Sequence, residues 1–380
     1  MKLLINTALT VLALLLLSPA QAQLPFTVTE VSQFDEPWSV AEMPDGQLLV
    51  TETKGNLIIV DDKGEQSRPV AGVPDIAFGG QGGLGDVVLH PDFAENGIVY
   101  LSYAEAGVGD TRGAAVARGV LDASGRRPSL SDVEVIWRQY PKLSGYGHYG
   151  HRMLFDDEGY LWITSGDRQK FTTAQDMQSN SGKVLRLNDD GSVPDDNPFV
   201  DYYSENPRVG RGGVYPEIWS LGHRNVLGLA LGLDGRLWEI EMGPAGGDEL
   251  NLIERGANYG YPEVSNGDHY DGREMPDHDT RPEFNKPALW WTPVISPGDM
   301  LIYRGDAFAD WKGSALIAGL SSRAIVRVEL GDDGSATEVE RFDMGARIRS
   351  VQESADGSIW VLEDDYGDSN GRLLRLTPKS

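Results

Sequence analysis

The feature that most constrains this chain is a turn-and-strand unit that returns six times. Each copy sets Asp, Asn, Glu or, once, Lys before Gly and then runs into apolar and aromatic residues. The copies are Asp45-Gly46 before Leu48 to Val50, Asn96-Gly97 before Ile98 to Leu101, and Glu158-Gly159 before Tyr160 to Ile163. Asp234-Gly235 before Leu237 and Trp238, Lys312-Gly313 before Ala315 to Ile317, and Asp356-Gly357 before Ile359 to Val361 complete the set. Asp-Gly and Asn-Gly suit the positive φ angles of tight hairpins, so each unit reads as a turn entering an inner strand. Six copies, about 44 to about 78 residues apart, predict an all-β fold: a six-bladed β-propeller of four-stranded blades, with long loops over the central channel. Ordinary hairpins of a sandwich or barrel are the alternative. Residues near 26 to 34 are expected to pair with Leu373 to Leu376 and close the ring.

The start of the chain reads as a secretory signal. Lys2 precedes an apolar run from Leu3 to Leu17, and Ala20-Gln21-Ala22 offers a cleavage site, so residues 1–22 are expected to be removed and the mature chain to begin at Gln23. The run is shorter than the ~20 apolar residues of a membrane span. Residues 23–380 are then a single propeller domain, periplasmic or secreted, with no membrane span after cleavage. Cysteine is absent, so export brings no disulfides, and stability must come from burial and bound metal. The net charge of -25 opposes nucleic acids and anionic membranes as partners. Clustered carboxylates suit hard cations such as calcium.

Polar and Gly-rich chemistry is concentrated in residues 78–92, 144–156, 219–230, 240–262 and 345–351, read as loops over the channel. Gly145 to Arg152 presents two imidazoles, His148 and His151, in a tight loop, and a His beside a cleft is a natural base near neutral pH. Structural histidines, or a His-x-x-His metal pair, are the alternatives. Arg224 and Asn225 place a guanidinium beside an amide, a combination suited to carboxylates and quinone oxygens. Arg347 and Arg349 alternate, so on a strand both face the same way. They suit an anionic ligand with several carboxylates, or pair with nearby Asp or Glu. Glu241 to Glu249 followed by Asn258 to Pro262 mixes carboxylates with turned backbone, which calcium prefers and which a solvated acidic turn also explains.

In this order the motifs, from Pro37-Trp38 to Arg375, resemble the soluble pyrroloquinoline quinone (PQQ) dependent aldose sugar and glucose dehydrogenases. The resemblance implies PQQ and Ca²⁺ as cofactors. It places Gln81 of Gly79-Gly80-Gln81-Gly82-Gly83-Leu84 on the quinone, along with Arg224, Asn225, Tyr270, Arg347 and Arg349, and makes His148 the catalytic base. Backbone oxygens of Gly243 and Pro244 are implied to hold the calcium that bridges to the quinone. Glu249 and the Tyr259 carbonyl are implied to hold a second, structural calcium. The chain departs from the family twice. Ser321 stands where a cofactor-binding Lys is usual, which implies either that Arg323 replaces it or that cofactor affinity is lower, and His151 stands where relatives tend to have Gly.

The mechanism implied is oxidation of an aldose at C1 to the lactone. His148 takes the hydroxyl proton, hydride passes to C5 of the quinone, and calcium and Arg224 stabilise charge on the C5 oxygen. The partners expected are a small aldose and an electron acceptor of unknown identity. A calcium-dependent lactonase or esterase, and a non-catalytic propeller that binds carbohydrate or protein, are the competing readings, since fold alone does not choose among them.

Overall fold

The computed structural model describes residues 24–125, 127–201, 214–366 and 370–379. The expected signal peptide and the start at Gln23 lie outside these residues. Among them the chain forms six antiparallel sheets around a central axis, the six blades of a propeller, and a small two-stranded sheet that pairs Ala245–Gly246 with Gly267–Asp268. The strands nearest the axis are Pro37–Glu42, Leu84–Leu89, Gly150–Phe155, Val226–Leu231, Pro297–Ile302 and Ile348–Glu353, one per blade, and each packs against its neighbours around the ring.

The repeated Gly turn follows this innermost strand and leads into the second one, at Leu48–Glu52, Ile98–Ala106, Leu161–Ser165, Leu237–Glu241, Ala315–Gly319 and Ile359–Glu363. The expectation that the turn enters the inner strand is therefore corrected. Four of the inner strands lie wholly or partly inside the polar stretches read as loops, because channel-facing residues at or just before their starts, such as Gly150, His151, Asn225 and Arg349, mask an apolar pattern; Pro37–Glu42 and Pro297–Ile302 lie outside those stretches.

The second strands show how the repeat makes a ring. Their five or more residues are buried nearly throughout, because both faces of a blade are covered and alternate residues serve opposite faces. The residue two places after each Gly packs toward the preceding blade: Leu48, Val99, Leu161, Leu237, Ala315 and Ile359. The residue three places after it packs toward the following blade: Leu49, Tyr100, Trp162, Trp238, Leu316 and Trp360. Six copies of one short pattern thus build six equivalent interfaces, and the core is a set of wedges between blades.

Blade one has three strands among the described residues and blade two gains a short fifth, so four strands is the rule for the other blades rather than for all. The ring closes as expected. Phe26–Gln33 is the outermost strand of the last blade, antiparallel to Arg372–Pro378 with Val28 opposite Leu376 and Glu30 opposite Leu374. No helix among the described residues is long and apolar enough to cross a membrane.

Halfway along the channel, all six blades meet at Arg152. Its guanidinium lies 3.2 Å from Asp86 and 3.3 Å from Asp299, donates to the carbonyls of Leu227 and Gly298, and stacks 4.0 Å over Trp38. Ser39 and Ser350 donate to the two carboxylates. Burial pushes Asp299 up to about 6 despite the opposing pull of Arg152. This belt separates a cavity of about 370 Å³ at the starts of the inner strands from one of about 420 Å³ at their far ends.

Candidate active site

The cavity at the strand starts is lined by residues from several blades, among them Trp38, Gln81, His151, Asn225, Arg347 and Arg349. Its volume lies within the range of small-molecule sites. Arg347 and Arg349 face it together, as their alternation requires, and both hold the Asp364 carboxylate, at 3.0 and 3.2 Å. Both sequence readings of this pair thus apply, an anion-facing surface and a carboxylate partner. Asp365 and Glu36 also border the cavity.

His148 stands beside this cavity, while its neighbours Tyr149, Gly150 and His151 line it. The loop is held tightly. Gly150 takes a φ of 78°, and a Cβ there would come within 2.6 Å of the Thr164 carbonyl oxygen, so only Gly fits. His148 itself has a φ of 51°, the left-handed region that side chains seldom occupy. Gln81 accepts a hydrogen bond from the His148 backbone N–H at 2.7 Å, and Asn225 accepts from Gly150 at 3.2 Å.

The imidazole of His148 is oriented by Asp167, whose Oδ1 is 2.7 Å from Nδ1. A carboxylate there accepts the Nδ1–H, which leaves Nε2 as the unprotonated nitrogen, the tautomer a general base needs. Burial lowers the pKa of His148 below its ordinary value, and Arg224 and Arg168 add to the fall while Asp167 opposes it. Asp167 was missed from the sequence, although Gly166-Asp167-Arg168 directly after a second strand was a place to look. Arg168 is buried, donates to the carbonyls of Gly145 and Gly147, and lies 3.7 Å over the Tyr149 ring.

Arg224 is buried next to His148 and donates to the Met242 carbonyl at 2.9 Å and to the Tyr270 hydroxyl at 3.2 Å. Tyr270, which the resemblance implies to contact the cofactor, is largely exposed and stands beside Arg224. Ser321 and Arg323 are not brought to the cavity lining, which this segment reaches through Leu320. Ser321 donates to the Val294 carbonyl and Arg323 to that of Gly345, two residues before Arg347. The position of Arg323 thus suits bracing the loop that carries the arginine pair.

A second constellation lies on the fourth blade. Glu241 is directly opposite Glu249, and Glu239 opposite Asn251, on neighbouring strands. Like charges so placed repel each other and destabilise a sheet. Two imidazoles lie against these carboxylates, His278 at 3.2 Å from Glu249 and His223 at 3.3 Å from Glu241; burial works against the charge of His223, but Glu239 and Glu241 more than reverse that and lift it to about 9. Burial and Glu241 raise Glu239 to about 7, and burial and the same neighbours raise Glu249. Ligand atoms of His223, Glu239 and Glu241 all lie within 4.8 Å of one another, and the Tyr259 ring stacks on His223 at 4.8 Å. Glu239 Oε2 and Asn251 Oδ1 are buried without a hydrogen-bond partner among the described residues. Oxygen-rich and short of positive charge, this donor set fits a hard divalent cation. The sequence reading included Glu249 and Tyr259 but not His223 and Glu239, whose signal was the Glu-Ile-Glu alternation after Trp238.

The turn at Gly243 and Pro244 lies between this cluster and Arg224. A Cβ on Gly243 would approach the Gly247 carbonyl oxygen to 2.1 Å, and Asp248 accepts its N–H at 2.9 Å, so the turn depends on that Gly.

The model of the glucose / sorbosone dehydrogenase family matches residues 34–375. The chain belongs to that family. It is 38% identical over 378 residues to aldose sugar dehydrogenase YliI of Escherichia coli (strain K12), covering 97% of each chain. The apo crystal structure of the soluble E. coli aldose sugar dehydrogenase superposes with a TM-score of 0.84 at 36% identity, over 93% of this chain and all of that one. The PQQ-bound form of an aldose sugar dehydrogenase from Streptomyces coelicolor superposes with a TM-score of 0.74 at 27% identity, over 93% and 98%. Family membership makes this propeller a sugar dehydrogenase, an oxidoreductase acting on aldoses.

Proposed function

We propose that the protein oxidises aldoses at C1 to lactones using PQQ and calcium, with His148 as general base. One observation carries this reading: Gln81, Asn225, Arg347 and Arg349 converge on a cavity beside a His148–Asp167 pair. The cavity's amides, guanidiniums and unpartnered buried imidazole suit a planar anion with several oxygens. When bound, the quinone supplies a two-electron acceptor for the hydride leaving C1. Calcium at the Gly243 and Pro244 carbonyls would add positive charge beside the quinone, and a second ion would be held by Glu249, the Tyr259 carbonyl and the carboxylates around them.

The residues of the chain do the rest. Nε2 of His148 takes the C1 hydroxyl proton, and Asp167 stabilises the imidazolium that forms. Arg224, fixed by Met242 and Tyr270, would help hold the quinone and would offer positive charge to it as it is reduced. Such preorganised donors are commonly worth about 10²- to 10³-fold each.

The test is to add PQQ and calcium to purified apoprotein and follow dye reduction with a panel of aldoses. Quinone-dependent turnover is expected with at least one aldose. Lactone hydrolysis without any quinone requirement would instead favour the hydrolase reading. In a titration of the apoprotein with PQQ, Arg349→Ala is expected to weaken quinone affinity more than Arg323→Ala, because Arg349 lines the cavity and Arg323 does not; equal losses would mean that Arg323 contacts the quinone too.

Chelation of calcium is expected to lower both turnover and melting temperature. Linkage predicts about 2.7 kcal/mol at a hundredfold excess over Kd, and unchanged melting after chelation argues against an ion at the Glu239, Glu241 and Glu249 cluster. Export to the periplasm belongs to this proposal as well. N-terminal analysis is expected to find Gln23 first, and a retained Met1 excludes it.

A further inference from the structure

His151 is the feature of the cavity that its own surroundings do not explain. The ring is 3% exposed, borders the cavity, and neither nitrogen has a hydrogen-bond partner among the described residues. Buried polar atoms left unpaired are destabilising, and native proteins keep few of them. The backbone adds a second cost, since His151 sits at a φ of 85°, where Gly is at ease and a ring-bearing residue is strained. Two unfavourable features on one residue at the floor of a ligand-sized cavity point to a ligand that makes use of it.

The ring is also held still. It stacks on Tyr149 at 5.3 Å and meets the edge of Trp38 at 5.9 Å, and its Cγ would lie 2.7 Å from a Cβ on Gly85, so this side has no slack. Arg168 caps the far face of Tyr149. A contact fixed in this way loses little freedom when a ligand arrives.

We propose that His151 is a binding residue of this cavity, its imidazole N–H donating a hydrogen bond to an oxygen of the planar anionic quinone. This rests on the cofactor reading given above. His151 serves as a neutral donor: burial, with Arg168 and Arg152 nearby, holds it down to about 3. A neutral imidazole has one donor and one acceptor nitrogen, so it reaches an anionic oxygen without adding a charge to the buried floor. The role differs from that of His148, whose Nδ1 is committed to Asp167 and whose Nε2 faces the proton to be removed.

The test is titration of apoprotein with PQQ, read by absorbance and fluorescence rather than turnover, on wild type, His151→Gly and His151→Asn. Gly removes the donor and relieves the backbone, so affinity is expected to fall about tenfold while the apoprotein melts at a higher temperature. Asn tolerates the left-handed backbone and keeps an N–H, so it is expected to bind within about threefold of wild type. His151→Ala replaces the Gly variant should that not fold. Wild-type affinity in the Gly or Ala variant overturns the proposal, as does an Asn variant as weak as Gly. Wild-type protein that binds no PQQ at all overturns the cofactor reading with it, so the two failures are distinct.

Discussion

His148→Gln is expected to retain quinone binding and to lose at least about 10²-fold in kcat, the lower end of what a placed general base contributes. The imidazole is the group whose Nδ1 is locked to a carboxylate, 2.7 Å from Asp167, and glutamine offers no basic nitrogen in its place. At saturating quinone His151→Gly should keep most of kcat, because His151 faces the cavity floor and has no carboxylate to set its tautomer. The reverse outcome, an inactive His151→Gly and an active His148→Gln, would move the base to His151. The pH profile supplies a second check. Burial lowers the folded-state pKa of His148, so the base stays neutral to lower pH than a free imidazole does, and the acid limb of turnover should lie below the ordinary histidine range. Asp167 opposes this lowering, so Asp167→Asn should carry the acid limb to still lower pH while kcat drops. A limb that stays in place would show that His148 does not set it.

Arg152→Met is expected to destabilise the fold by about 3–5 kcal/mol, the usual consequence of removing one partner of a buried ion pair. Methionine roughly fills the volume, but Asp86 and Asp299 would be left facing each other with no cation between them, and the carbonyls of Leu227 and Gly298 would lose their donor. Acid should partly rescue the variant. Burial already holds Asp299 above its unfolded value in the wild type, and losing Arg152 pushes it higher. A carboxyl whose pKa is raised by folding contributes instability at pH values above that pKa, and the instability fades as pH falls through it toward 3.8. Urea denaturation at pH 8 and pH 5 reads this directly. A loss below about 1 kcal/mol, or one that does not shrink in acid, would mean that the belt carries little of the channel's stability.

The blades were legible because the second strand of each repeats one physical requirement, two covered faces after a tight turn. Trp162, Trp238 and Trp360 recur at the same offset from their Gly for that reason. The inner strands were not legible: Gly150–Phe155 begins Gly-His-Arg and Ile348–Glu353 alternates with Arg and Gln, so channel-facing chemistry masked the strand pattern. The same distinction governs the site. Residues in local motifs, such as His148, Arg224 and Arg347, stood out as candidates loop by loop, and the joint order of the motifs, through the family resemblance, gave them roles and added Gln81. Asp86 and Asp299 could not, because each acts on a partner from a distant part of the chain, and a lone Asp in an acidic sequence carries no mark of its partner; Asp167 and Glu239 had local signals, but their partners His148 and His223 lie in other segments.

Among the described residues, the belt around Arg152 closes the channel behind the cavity, leaving a blind well whose doorway lies at the starts of the inner strands. For the oxidation proposed here, sugar, lactone and electron acceptor must all use that doorway, and none can leave through the far end while another waits above. The lactone must therefore depart before the acceptor approaches the reduced quinone. Double-displacement kinetics follow from the architecture, with parallel lines in reciprocal plots of rate against sugar at several acceptor concentrations, and high acceptor concentrations competing with the sugar.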